Sequence, residues 1–168
     1  ELVLLIQQVA KEFGVPEELL YATFEHESNF KHGLKGDWDY NSIGIGQVRP
    51  GTWHDLHTKK NNAYKEFRGF VEKYYPDKKF KRGENLFIDI AASAALLKKM
   101  GRGNVKFDHM TEHRLVYLRA QYTGDEHYVS QMNKYLAKDL DQVQQNYKDF
   151  IKTYKKYRDS KDRAQALL

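Results

Sequence analysis

Glu27 is the residue around which chemistry could be built. It stands in Glu27-Ser28-Asn29-Phe30, at the end of a stretch whose apolar residues recur with helical spacing. Gly14-Val15-Pro16-Glu17-Glu18 reads as a helix start. Proline takes the first helical position and two acids fill the first turn, where the helix dipole favours them. Counting about 100° per residue from Leu20, Phe24 lies at about 40° and Glu27 at about 340°, so the three share one stripe. Glu25 falls near about 140° and His26 near about 240°, off that stripe. A carboxylic acid on an apolar face loses hydration, which penalises the ionised form and raises its pKa toward neutrality. Such an acid holds a proton at pH 7 and can deliver it to a leaving group. The bland alternative is a glutamate at the rim, extended to water or paired with a lysine. Further along, Gly44-Ile45-Gly46-Gln47-Val48-Arg49-Pro50-Gly51-Thr52-Trp53 forms a glycine-rich, polar-tipped loop that could face the acid.

The elements that must position these residues are helices. Helical periodicity covers about 2–13, 16–30, 50–57, 61–75, 85–100 and 111–122, then a long run from about 127. Gly33 to Gly46 and Gly101 to Asp108 read as loops, with room for a short hairpin between Leu34 and Ile45. The expected fold class is therefore mainly α. Two parts are expected: a core over 1–126 and a long C-terminal helix over 127–168. In that helix Leu136, Leu140, Val143, Tyr147, Phe150, Tyr154 and Tyr157 alternate spacings of four and three, a heptad stripe. It is expected to pack on the domain's own surface; pairing with a partner, or with the rest of a larger parent protein, is the alternative. Past Tyr157 the pattern thins into a fraying or connecting end.

Composition narrows the class. A chain of 168 residues is long enough for one domain with its own core. At 40% hydrophobic residues and a mean hydropathy of −0.80, with no uninterrupted apolar run of spanning length, no membrane span is expected. There is no cysteine, so disulfides play no part. Leu2-Val3-Leu4-Leu5-Ile6 is too short and lacks a basic flank for a signal peptide. The missing initiator methionine reads as a fragment of a longer chain, whose targeting signal is not visible here. Among the seven histidines, His109 and His113 have the i,i+4 spacing of metal ligands but no evident third partner, so no metal site is expected. No nucleophile elbow or phosphate loop appears, and no cofactor is implied.

Three blocks in order resemble the lytic transglycosylase family with the goose-type lysozyme-like fold. The family's Glu-Ser-x-Phe matches Glu27-Ser28-Asn29-Phe30. Its Gly-Leu-Met-Gln followed by Pro-x-Thr matches Gly44-Ile45-Gly46-Gln47 and Pro50-Gly51-Thr52. Its helix of small residues after an Asn is similar to Asn85 through Leu97. The family's Ala-Tyr-Asn-x-Gly is altered to Ala120-Gln121-Tyr122-Thr123-Gly124, so Tyr122 or Tyr117 would supply the phenol from a shifted position, or Gln121 would take over a polar contact. The stretch 58–82 looks like an insertion relative to the family.

The resemblance implies a lysozyme-like domain that cleaves the β-1,4 bond between N-acetylmuramic acid and N-acetylglucosamine in peptidoglycan, facing the cell wall from the periplasm, the outside or a phage particle. Glu27 would be the catalytic acid and Ser28 would orient its carboxyl. Ser42 and Gln47 would bind acetamido or hydroxyl groups. Trp38, Tyr40 and Trp53 could stack on sugars, although Trp53 could equally be core. Asp37 and Asp39 are candidates for the second carboxylate that a hydrolytic lysozyme would need, with surface solvation the blander reading. A non-catalytic wall-binding or assembly module is the alternative from another class.

The net charge of +5 is concentrated between Lys59 and Arg82, where nine basic residues are interleaved with aromatics. An amphipathic helix with its rings packed down accounts for this pattern, since Phe67, Phe70, Val71 and Tyr74 recur at helical spacing. A polyanionic wall is a further candidate for the charge. Nucleic acid is not expected as a partner.

Overall fold

The computed structural model describes residues 1–36, 41–101, 107, 110–125 and 143–167, the last seven of these in backbone only. Seven helices appear among them: α1 (Leu2–Phe13), α2 (Glu17–Ser28), α3 (Pro50–Thr58), α4 (Asn62–Tyr74), α5 (Leu86–Met100), α6 (Glu112–Thr123) and α7 (Gln145–Leu167). The mainly helical class expected from periodicity is what is observed. None of these helices is long and apolar enough to cross a membrane.

Local chemistry sets the boundaries. Ile6, Val9, Ala10 and Phe13 form the buried stripe of α1, which stops at Gly14 with φ +67°. Pro16 is the cap of α2 rather than its first helical residue, and the helix ends at Asn29 in a left-handed conformation. Asn61, Asn85 and Thr111 each accept a hydrogen bond from the backbone N–H three residues on, which starts α4, α5 and α6. Between Leu34 and Ile45 no strand forms among the described residues. Two isolated antiparallel bridges, Lys35 with Ile43 and Ile43 with Val48, stand in place of the hairpin.

The middle of the fold is α5. All ten residues from Ile88 to Leu97 are buried, as expected for a helix covered on every side. It packs on α1, α4 and α6. The aromatic residues of the basic stretch do pack down: Tyr64, Phe67 and Phe70 are buried, and Phe70 meets Phe13 of α1 and Phe87 of α5 at 5.4 and 4.8 Å between ring centroids. The amphipathic reading of that stretch holds.

Helix α7 lies against α2 and α6. Tyr147, Phe150 and Tyr154 are at most 3% exposed, and burying rings of this size contributes on the order of 1.5–3 kcal/mol each. The heptad stripe thus serves the domain's own surface over its described part; Leu136 and Leu140 lie outside the described residues. The helix does not stop where the pattern thins, since its backbone stays helical to Leu167.

Candidate active site

Glu27 sits at the second-last position of α2, and its side chain is 16% exposed. Leu20 and Phe24, which share its stripe, are fully buried. Arg119 of α6 donates from Nη1 to Glu27 Oε1 at 2.8 Å and is itself only 11% exposed. Burial pushes the Glu27 carboxyl up, while the Arg119 bond and charge, and then Arg49, pull it down. Burial prevails, and the group ends above the usual carboxylate range. Glu27 therefore is neither the solvated rim residue nor the partner of a lysine.

The neighbours on α2 are covered by α7. His26 is hydrogen-bonded to Thr153 Oγ1 at 2.9 Å and meets the Phe150 ring edge-on. Glu25 accepts from Lys156 and from the Tyr157 hydroxyl, both at 2.9 Å. The wheel that assigned Glu25 and His26 to the other side was right about direction. That side is not open, because α7 lies on it.

The glycine-rich loop is pinned from beneath by side chains of three helices. Ser28 donates to the Ile45 carbonyl at 2.7 Å, with the Phe24 carbonyl at 3.2 Å. Ser28 thus anchors the loop instead of orienting Glu27. Tyr122 donates to the Gly46 carbonyl at 2.7 Å, and its oxygen lies 2.9 Å from Ser93 Oγ. A phenol has a single hydrogen, so Ser93 must be the donor in the second bond. Burial pushes the Tyr122 phenol up, with the Glu27 charge adding to it, so it remains a neutral donor.

Gln47 adopts φ +51°, and its amide nitrogen donates to both Leu34 and Gly44 carbonyls at 2.9 Å. Both amide hydrogens are consumed within the loop, which makes Gln47 its brace; only Oε1 can accept from a ligand. Arg82, from the basic stretch, adds a bond to the Val48 carbonyl at 2.8 Å and another to that of Asn41.

A second carboxyl lies under the same loop. Asp89 of α5 is 4% exposed, accepts from the Gly83 N–H at 3.2 Å, and places Oδ2 against Gly44. His32 Nδ1 stands 3.6 Å from Oδ2, too far for a hydrogen bond, and Oδ2 has no hydrogen-bond partner among the described residues. Burial raises the Asp89 carboxyl to about 7, against smaller downward pulls from the Gly83 bond and Arg82. An acid whose folded pKa exceeds its unfolded value weakens the fold as pH rises from about 4 toward 7, where the loss levels off. Asp89→Asn is expected to remove that dependence and to stabilise the protein at pH 8 by a few kcal/mol, about 4 at most. Urea unfolding at pH 4, 6 and 8 checks it; parallel profiles for the two proteins would refute it.

The remaining candidates are dispersed. Gln121 and Tyr122 line a cleft of about 120 Å³ with Gly46, Gln47, Arg49 and Gly124. Ser42 contributes its carbonyl to the Gly36 N–H at 2.8 Å. Trp53 packs on Phe67 and His57 at 6.0 and 5.1 Å and belongs to the α3–α4 contact. Tyr117 packs against the core. Asp37, Trp38, Asp39 and Tyr40 lie outside the described residues, as does His109. A hollow of about 920 Å³ lies elsewhere, between the α1–α2 turn, the residues leading into α6, and α7. Neither Glu27 nor Asp89 lines it, and volume alone carries no chemistry.

Sequence reasoning missed Arg119 and Asp89, and one signal could have found both. Arg119 is the sole charged residue between Leu115 and Tyr122, and Asp89 the sole one between Asn85 and Leu97. A lone charge set among apolar residues of a helix must, where it is buried, be partnered or functional. Comparison of the chain with protein-family models, with curated proteins and with solved structures gives no match.

Proposed function

We propose that this chain is a peptidoglycan lytic enzyme of lysozyme-like fold, cleaving the bond between N-acetylmuramic acid and N-acetylglucosamine by transglycosylation and working where it meets the cell wall. The observation that carries the reading is Glu27 itself: a largely enclosed carboxyl, 16% exposed and bonded to Arg119, held above its ordinary range next to Ser28, which braces the glycine turn. The order of the three sequence blocks supports the same assignment.

In this reading Glu27 gives its proton to the glycosidic oxygen as the bond to C1 breaks, and the electron pair leaves with that oxygen. Positive charge spreads over the muramic C1 and ring oxygen. Glu27, now a carboxylate, takes the proton of the C6 hydroxyl while O6 bonds to C1. The products are a free hydroxyl on the leaving sugar and a 1,6-anhydro ring, and Glu27 regains its proton. One carboxyl suffices because the substrate supplies the nucleophile. Among the described residues the charged side chains that act on Glu27 are Arg119 and Arg49, both cations; Asp37 and Asp39, the candidates for the second acid of a hydrolytic lysozyme, lie outside them.

The roles of the neighbours follow from their bonds. Ser28, Tyr122 and Ser93 hold the loop, and Gln47 Oε1 remains as an acceptor for an acetamide N–H. Mass spectrometry of soluble products from purified peptidoglycan tests the reading. Fragments ending in 1,6-anhydromuramic acid are expected. Products one water heavier would mean a hydrolytic lysozyme, and wall binding without release would mean a binding or assembly module.

A further inference from the structure

Arg119 is enclosed on every side that matters to Glu27. Its Nη1 takes Oε1 at 2.8 Å, and the guanidinium carbon lies 5.2 Å from the centre of the Phe150 ring of α7. Phe150 is 1% exposed and is fixed in turn against His26 of α2. The guanidinium is thus sandwiched between an acid of α2 and a ring of α7, and cannot swing away without vacating a packed site. Among the described residues no hydrogen bond reaches Glu27 Oε2. The two oxygens of this carboxyl are therefore inequivalent.

We propose that Arg119 is the positioning residue of Glu27: by occupying Oε1 it leaves Oε2 as the one oxygen that gives and takes the proton, and Phe150 holds it in that place. The protonated acid keeps the bond, because Oε1 as a carbonyl oxygen still accepts from Nη1. The carboxylate keeps it more strongly, as a charge-assisted bond. Arg119 thus favours the ionised form that must exist between the two half-reactions, against the burial that favours the acid. This assignment rests on the lytic reading for its catalytic meaning and on geometry alone for the carboxyl's state.

The other groups that face Glu27 do not duplicate this role. Arg49, at the cap of α3, adds a weaker positive field without a bond to the carboxyl, and Tyr122 of α6 remains neutral. On α2 itself, Glu25 is engaged by Lys156 and Tyr157, and His26 by Thr153, with Asp149 of α7 near the imidazole. Burial, with Arg119 adding to it, holds His26 below its usual pKa, so it supplies little charge at neutral pH.

Carbon-13 NMR titration of glutamate-labelled protein, with the Glu27 signal identified by its loss in Glu27→Gln, tests the proposal. In Arg119→Met the Glu27 midpoint is expected to rise by about one to three pH units, since a cation in contact depresses a carboxyl by that much. The alkaline limb of the wall-cleavage profile should move with it. Arg119→Lys keeps the charge but not the fork, so the midpoint should stay near wild type while kcat at its own optimum falls several-fold. An unmoved midpoint in Arg119→Met, or full kcat in Arg119→Lys, overturns the proposal. Should Arg119→Met fail to fold, Arg119→Lys alone decides it. A midpoint that rises in a protein that never cleaves the wall would uphold the positioning of the carboxyl and sink the lytic reading instead.

Discussion

Glu27→Gln is expected to abolish release of muropeptides, with a loss of at least about 10²–10⁴-fold from the missing acid alone, and to leave the fold intact. The substitution is nearly isosteric, and the amide oxygen can still accept the Arg119 bond. Stability should not fall at neutral pH. The folded pKa of Glu27 lies above its unfolded value, so the unfolded chain ionises first as pH rises and the fold loses free energy across that interval. A neutral amide does not titrate, and its thermal midpoint at pH 7 should equal or exceed that of the parent. Activity lost together with gained stability is the signature of a group kept for chemistry. Product assays and thermal melts on the purified pair measure both. Cleavage near the parent rate would remove Glu27 from the mechanism.

Gly46→Ala should be strongly disruptive for a single added methyl. A Cβ at Gly46 would stand 2.0 Å from Ser93 Oγ and 2.7 Å from the Tyr122 hydroxyl oxygen. Ser93 is fully buried, so its hydroxyl has no room to retreat into. Either the Ser93–Tyr122–Gly46 chain of bonds breaks or the loop lifts from α5 and α6. Overpacking with the loss of a buried bond costs about 2–4 kcal/mol, or roughly 5–15 °C in thermal midpoint for a chain of this size. Wall cleavage should fall as well, although Glu27 is untouched, because Gln47 follows Gly46 in the displaced loop. Ser93→Ala in the same chain removes the nearest clashing atom and should restore part of the loss. No restoration would mean that the loop is held by other contacts.

Much of the helical frame was legible because each helix announces itself locally. Asn61, Asn85 and Thr111 are caps that precede apolar periods, and Gly14 stops α1 where the stripe ends. Glu27 was legible for the same reason, as an acid at an apolar position. What stayed hidden was whatever depends on atoms distant in sequence. Arg119 meets Glu27 across 92 positions, and nothing local in α6 marks it as that partner. Ser28 and Tyr122 donate to the Ile45 and Gly46 carbonyls. Backbone acceptors are the same at every position, so no pattern of residue types reveals them. The hairpin allowed for between Leu34 and Ile45 is reduced, among the described residues, to an antiparallel bridge of Lys35 with Ile43, and Gly44 and Gln47 adopt positive φ just beyond it, where the chain turns away.

The packing of α7 on α2 has a consequence for the order of events during synthesis. Glu25 and Lys156 are 131 positions apart, and the ring that backs Arg119 lies on the same late helix. At about 5–20 residues per second on the ribosome, roughly 6–25 s pass between the making of Glu27 and of Phe150. During that interval the nascent chain already carries Glu27 but lacks the helix that encloses it. The environment that sets the state of the Glu27 carboxyl is thereby completed only when α7 has been made.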